Sequence, residues 1–465
     1  MVYLFALLAI LVSTFLGFVS LRLLDQECQL RLQESLGLSY GLGLGVVAII
    51  MTCLALAQIK FNIFNILVTF ILILVLLAGI SKIFIKSKNR YPKIVLARKK
   101  MSKGELFFVS LILLEVIFAF FVSMIKPIES YDAVAHWGVK AKILYSLGGL
   151  PLDIFSQPSL YWVTFTGDYP WLLPFAQSYI YSFINSFNDF APKIIGPLFF
   201  AACLVVFYSI LRRINLKRLP AVIFTFALAS IPHFNNYAAT GYADLILGFY
   251  YSLGFLYLYL WFEEQKNIYL LLSAVFSALA CYVKCEGILL AGINVITFLI
   301  FILSKGAGNK KVIFKDFIFY IIILAALSAP MFLLKQITCA NLSNHTVSLK
   351  AFSNFKGDNL FRLPLIMYAY QKQFFNLKLW NFTWVLFFAG LFFSILRGIL
   401  FKKELKFLIT ALGIIFLSHS CIYVISPNVS QDLKTLNRLL LHFLPLVIFF
   451  IARVFTLDDE RRRQE

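Results

Sequence analysis

Polar positions along this 465-residue chain come in bursts, and the stretches between bursts are apolar and of membrane-crossing length. A helix that spans a bilayer needs about 20 predominantly apolar residues. Such stretches lie at 1–23, 38–58, 61–81, 106–125, 192–211, 219–235, 242–262, 268–283, 286–304, 316–334, 381–400, 405–425 and 438–455. A further stretch, 171–187, opens Trp171-Leu172-Leu173-Pro174 and is short. The pattern predicts an all-α polytopic membrane protein of about 13 transmembrane helices plus one ambiguous helix. Met1 to Ser20 has neither a basic leader nor a clear small-residue cleavage site, and reads as a first span rather than a signal peptide.

The charge in the loops orients these spans. Residues 82–103 carry Lys82, Lys86, Lys88, Arg90, Lys93, Arg98, Lys99, Lys100 and Lys103, which assigns that loop to the cytoplasm. The next span then leads outward and places 126–170 outside. If 171–187 does not cross, alternation puts Arg212/Arg213/Lys217/Arg218, Lys305/Lys310/Lys311/Lys315, Lys402/Lys403/Lys406 and Arg461 to Arg463 inside as well. If it crosses, every one of these clusters moves outside. The first arrangement agrees with the positive-inside bias and makes 171–187 a re-entrant or shallow helix. Loops 126–170, 335–380 and 426–437 then face outside. Loops longer than about 15 residues are usually functional or disordered, and the Trp, Tyr, Phe and Pro in the two long ones predict short interfacial helices. The chain divides into N-terminal spans with a basic loop (1–105), a transmembrane core containing the first large outside loop (106–334), a second large outside loop (335–380) and C-terminal spans with a cytoplasmic tail (381–465).

Composition sharpens the class. Hydrophobic residues are 61% and charged residues 14%, where a soluble domain carries roughly 25% charged, and the mean hydropathy is +0.86. These values exclude a soluble enzyme on a single anchor. The net charge of +20 sits in short loops, so it reports membrane topology rather than nucleic-acid binding. Fifty-one Phe and 22 Tyr suit packing in lipid and interfacial belts. The seven Cys show no CxxC or Cys/His spacing for zinc. No internal repeat, P-loop or GxGxxG unit supports an ATP-driven machine.

Charged residues inside a span cost about 2.5–3.5 kcal/mol each to insert, so those at the outer span ends call for a reason. The segment Pro127 to Tyr145 sets Asp132, His136 and Lys140 at i, i+4 and i+8, one face of a helix, with Trp137 beside them. Asp132 suits a general base or a metal ligand, and with Ser130 it also suits a helix cap. Gly241-Tyr242-Ala243-Asp244 brings a second acid to an outer span start, where the helix dipole also favours it. Lys284-Cys285-Glu286-Gly287 connects two spans tightly; Lys284 and Glu286 can pair with each other or meet a phosphate. Asp168-Tyr169-Pro170, with Pro174, breaks and angles a helix, and Tyr161 and Trp162 suit interfacial anchoring. Thr435-Leu436-Asn437-Arg438 opens the last span, and Arg438 suits bidentate phosphate recognition or a snorkelling anchor. The loop 335–380 carries Lys335, Lys350, Lys356, Arg362, Lys372 and Lys378 against Asp358, an outside excess of positive charge that an anionic ligand or lipid headgroup explains.

Taken in order, Asp132-Ala-Val-Ala-His-Trp-Gly-Val-Lys-Ala-Lys, Asp168-Tyr-Pro, Gly241-Tyr-Ala-Asp244, Lys284-Cys-Glu-Gly287 and Thr435-Leu-Asn-Arg438 resemble the GT-C superfamily of membrane glycosyltransferases, nearest to bacterial relatives of protein O-mannosyltransferases and aminoarabinose transferases. The resemblance runs from about 106 to 455. It implies a GT-C-like fold in a bacterial inner membrane, and an inverting transfer of a sugar from a polyprenyl-phosphate donor to a lipid, polysaccharide or protein acceptor on the outer face. By the same resemblance, Asp132 activates the acceptor hydroxyl, Asp244 is a second acid of the cavity, and Lys284 and Arg438 hold the donor phosphate. His136, Trp137, Lys140, Asp168, Tyr169 and Glu286 would complete the substrate contacts, and a divalent cation, where one is used, would sit on Asp132 and Asp244. The chain departs from the family pattern at Cys285, where Asn is usual, and at Asn437, where Asp is usual; Asp132 also has no adjacent acid. The alternatives are a transporter or flippase of a lipid-linked saccharide, for which repeats and broken midplane helices are the usual signs, and a catalytically degenerate relative.

Overall fold

The structure is a computed structural model that describes residues 1–25, 27–84, 100–150, 169–304, 307–338, 357–425 and 433–463. Asp168, Tyr161, Trp162, Lys350 and Lys356 lie outside the described residues. Among the described residues all regular structure is helical. Each of the 13 apolar stretches coincides with a helix. Eight of these helices are long and apolar enough to cross a membrane: Val2–Leu24 (α1), Leu32–Leu56 (α2), Lys103–Ile125 (α4), Ala191–Arg213 (its regular part Ile195–Arg213, α7), Asp244–Glu264 (α10), Cys285–Leu303 (α12), Ile313–Thr338 (within α13, Ala307–Thr338) and Lys403–Ile425 (α17). A ninth is added if Leu433–Leu441 and Leu444–Arg462 (α19), which meet at 54°, form one bent span. This is the helix inventory of a multi-pass membrane protein. The remaining four stretches form shorter apolar helices, Ile63–Gly79 (in α3, Ile63–Phe84), Arg218–Ala229 (α8), Asn267–Cys281 (α11) and Thr383–Leu396 (α16).

The stretch at 171–187 becomes α6, Leu172–Ile184, ended by Asn185 in the left-handed conformation at φ 53°. Its 13 residues extend only about 20 Å, short of the roughly 30 Å hydrocarbon core. Leu172 to Tyr181 are all buried, so α6 is an internal prop rather than a surface helix.

Small residues let the first two helices touch backbone to backbone. Ser13 and Gly17 of α1 face Ser39 and Gly43 of α2, each pair four residues apart. A Cβ on Gly17 would lie 2.1 Å from the Ser39 carbonyl oxygen, and one on Gly43 would lie 2.0 Å from that of Ser13. Between membrane helices, where hydrophobicity gives little preference for protein over lipid, such close contact is what holds a pair together. At the centre stands α10, whose most apolar 18-residue window is 100% buried, whereas α4 at 11% and the Ile313–Thr338 helix at 22% form the periphery. Near its far end α10 presents Tyr257, whose hydroxyl donates to Glu34 of α2 at 2.8 Å; Arg213 of α7 also binds Glu34, at 2.6 Å.

The chain leaves α4 at Ile125 and enters a π turn, Ala133–Gly138, that continues as α5, Val139–Leu147. Asp132 and His136 stay neighbours, 3.7 Å apart, while Lys140 turns inward and is fully buried.

Gly43→Val should force α1 and α2 apart, because the obstacle is a backbone carbonyl that cannot rotate away. The expected cost is about 3 kcal/mol, the upper end of the overpacking range, read as a lowered unfolding temperature in detergent. Gly79→Val, at a position with nothing within 4 Å of an added Cβ, should leave that temperature unchanged.

Candidate functional site

Four separate segments meet at the end of the bundle where α10 and α12 begin. Asp132 precedes the π turn. Asp244 is the first residue of α10 and follows a turn made by Gly241 at φ 81°, a conformation that side chains with a Cβ rarely adopt. Lys284 is the extended residue between α11 and α12. Its neighbour Gly287 must be glycine, since a Cβ there would lie 2.0 Å from the Ala280 carbonyl oxygen. Arg438 lies on a short helix, Leu436–Leu441 (α18), just before the bend into α19.

Arg438 joins the two acids. Its Nη1 donates to Asp132 Oδ2 at 2.5 Å, and its Nη2 to Asp244 Oδ2 at 2.9 Å. Asp244 also accepts from Lys284 Nζ at 2.8 Å and lies 3.0 Å from Nε2 of His442. Lys284 in turn pairs with Glu286 at 3.1 Å. The burial of the two acids differs: Asp244 is fully enclosed, whereas the side chains of Asp132, His136 and Arg438 are 19%, 20% and 18% exposed. One carboxylate is therefore a buried anchor, and the other is partly exposed beside a guanidinium. Burial opposes the charge on Lys284, but Asp244 and Glu286 outweigh it and raise its pKa above the ordinary lysine value.

Aromatic rings wall this group. Tyr169 stacks on His136 with ring centres 5.1 Å apart and meets the edge of Trp137 at 5.5 Å. The ammonium of buried Lys140 lies 4.6 Å over Trp171 and donates to the Tyr169 carbonyl at 3.3 Å. Arg438 lies 4.9 Å over Tyr242. Trp137 is 1% exposed, so it and Lys140 act from behind the surface of the site. Of the cations assigned to the loop 335–380, Lys335 lies instead in the last turn of α13 and donates to the Cys285 sulfur at 3.4 Å. Arg362 donates instead to the Val424 carbonyl.

The structure thus brings together Asp132, His136, Asp244, Lys284, Glu286 and Arg438. Sequence reasoning missed His442. Its signal was readable: it stands four residues after Arg438, on the same helical face. Among the described residues no group of three or more His, Cys, Asp or Glu side chains is arranged to hold a metal ion. Comparison with protein-family models, curated proteins and solved structures finds no match to this chain. The resemblance to GT-C transferases therefore rests on the sequence motifs alone.

Two measurements follow. Asp244→Asn leaves Lys284, Arg438 and His442 around a neutral side chain and should cost about 3–5 kcal/mol, the range for breaking a buried ion pair; the more exposed Asp132→Asn should cost under about 1 kcal/mol. Thermal unfolding of the two variants checks the contrast. His136 is shifted below the ordinary histidine value by burial, opposed by Asp132 and reinforced by Lys140 and Arg438. It should titrate by histidine NMR below the free-imidazole value of 6.5. The stability tied to its neutral form should be complete above that pH and fall as pH drops towards the lowered value.

Proposed function

We propose that this protein is an integral-membrane glycosyltransferase of GT-C type, moving a sugar from a polyprenyl-phosphate donor to a hydroxyl acceptor by inversion. The observation that carries the reading is the pairing of an open carboxylate, Asp132, with a partly open guanidinium, Arg438, at one end of a bundle of membrane helices. The chemistry needs one base for the acceptor and one cation for the departing phosphate, and an isoprenoid tail demands an enzyme embedded in lipid. In this reading all 13 apolar stretches cross, with α8 continued beyond Ser230 and Ile231 by Pro232–Ala239 (α9). The site faces outward, opposite the basic loops, in a bacterial inner membrane.

Arg438 then has two partners in turn. In the resting site it neutralises Asp132. An arriving donor phosphate competes for the guanidinium, and Asp132 is released as the base. The acceptor oxygen attacks the anomeric carbon from the face opposite the phosphate. The acceptor O–C bond forms, the bond from the anomeric carbon to the phosphate oxygen breaks, and the hydroxyl proton passes to Asp132. Polyprenyl phosphate leaves with the electron pair, beside Arg438. Asp244 and Lys284 set the position of Arg438 from behind, and Tyr169 with His136 offers a flat wall for a sugar ring. A divalent cation on Asp132 and Asp244 would have to displace Arg438.

Asp132→Asn should lower transfer by about 100-fold or more, the lower bound for removing a general base. The assay is purified, folded protein with labelled polyprenyl-phosphate sugars, using acceptors found by mass spectrometry of envelope glycans with and without the protein. Full transfer by Asp132→Asn would refute the role of Asp132. Movement of the labelled lipid across proteoliposomes without a new glycosidic bond would support a flippase instead. Transfer should also survive chelation by EDTA; a loss restored by Mg²⁺ or Mn²⁺ would put a cation in the site.

A further inference from the structure

At the opposite end of α4 from Asp132, a cavity of about 650 Å³ opens between α4, α7, α8 and the start of α2. Its lining changes character along each helix. On α7 it passes from Arg212 through Tyr208 to Leu204, and on α8 from Arg218 to Val222 and Thr225. On α4 it passes from Glu105 to Val109 and Leu113. The rim is polar and the floor apolar, in helical register on all three walls. A second cavity of about 660 Å³ shares Met101, Glu105, Arg212 and Arg218 with the first and adds Lys100 and Lys217. Together with Arg31, the rim presents five basic residues against one acid, and that acid is committed elsewhere: Glu105 accepts the Ser102 backbone N–H at 2.8 Å and caps its own helix. The α4 wall belongs to a helix only 11% buried along its apolar window, so the cavity adjoins the lipid-facing surface.

We propose that this cavity binds an anionic phospholipid, with the phosphate at Arg212 and Arg218 and an acyl chain on the floor formed by Val109, Leu204 and Val222. A free phosphate would leave that floor wetted, and a zwitterionic lipid would bring no net negative charge to a rim of five basic residues and one acid, in which Arg212 also donates to the Leu216 carbonyl. Basic pockets between membrane helices have this combination of charge and apolar depth. The rim of the site lies at the far end of α4, a helix of 23 residues or about 35 Å, from the segment bearing Asp132. Its floor reaches Leu113 midway along that helix, and the site does not depend on the reaction proposed above. The lipid would brace α4, a peripheral helix that leads into that segment.

Purified protein exchanged into detergent with dioleoylphosphatidylglycerol, dioleoylphosphatidylcholine or inorganic phosphate tests this by native mass spectrometry and thermal unfolding. The phosphatidylglycerol adduct should persist and raise the unfolding temperature. Arg212→Ala with Arg218→Ala should weaken it by about thirtyfold, from the usual contribution of two basic residues at an anionic lipid surface. Val109→Trp, which fills the floor and keeps both arginines, should weaken it as well, and it decides the matter if the double variant does not fold. Equal retention of phosphatidylcholine, equal stabilisation by inorganic phosphate, or undiminished binding in a folded variant would overturn the proposal.

Discussion

A carboxylate removed from water costs several kcal/mol unless opposite charge and hydrogen bonds surround it. Asp244 is such a carboxylate, placed where the central helix begins. Lys284, Arg438 and His442 surround it, from positions 40, 194 and 198 residues away. Satisfying one buried charge therefore fixes the junction of α11 and α12 and the bend before α19. The same demand places Arg438 within reach of Asp132 and creates the asymmetry between a sealed acid and an open one. Remove the charge at Asp244, and the cations lose their reason to converge.

The long apolar helices were legible in the sequence because length and hydropathy are local properties. The shortness of α6 was legible too, from Pro174 and the loop charges. The convergence of Asp132, Asp244, Lys284 and Arg438 was suggested by their common position at span ends, but their division of labour was not. Which acid is enclosed depends on packing by segments far away in the chain. Lys140 shows the limit most clearly. Spacing by four brings its amine to Tyr169, the residue whose ring stacks on His136, but its complete burial could not be read from spacing. His442 was missed although its spacing of four from Arg438 was there to read, because a histidine in an apolar run does not itself name Asp244, 198 residues away, as its partner. Asp168 lies outside the described residues, so its place in the motif order stays a matter of sequence.

A buried ion pair and a buried hydrogen bond hold α10 near its two ends: Asp244 with its cations at one, and the Tyr257 hydroxyl on Glu34, itself paired with Arg213, at the other. Polar partners at both ends of an enclosed helix fix its depth, since sliding it along its axis would separate both sets at once. A rigid central post of this kind suits a site in which the working guanidinium must keep its position to within a fraction of an ångström.

The 194-residue separation of Asp244 from Arg438 also has a temporal meaning. During synthesis α10 is made well before its guanidinium partner. Lys284 follows early, but until the last helices arrive the acid lacks two of its three ligands. The nascent chain must therefore hold Asp244 at the membrane–water boundary, or in the company of an insertion factor, and draw it inward only when the C-terminal helices dock. A chain that ends before Arg438 would carry Asp244 with Lys284 as its one remaining partner of the three, an acid only partly satisfied at the start of its central helix.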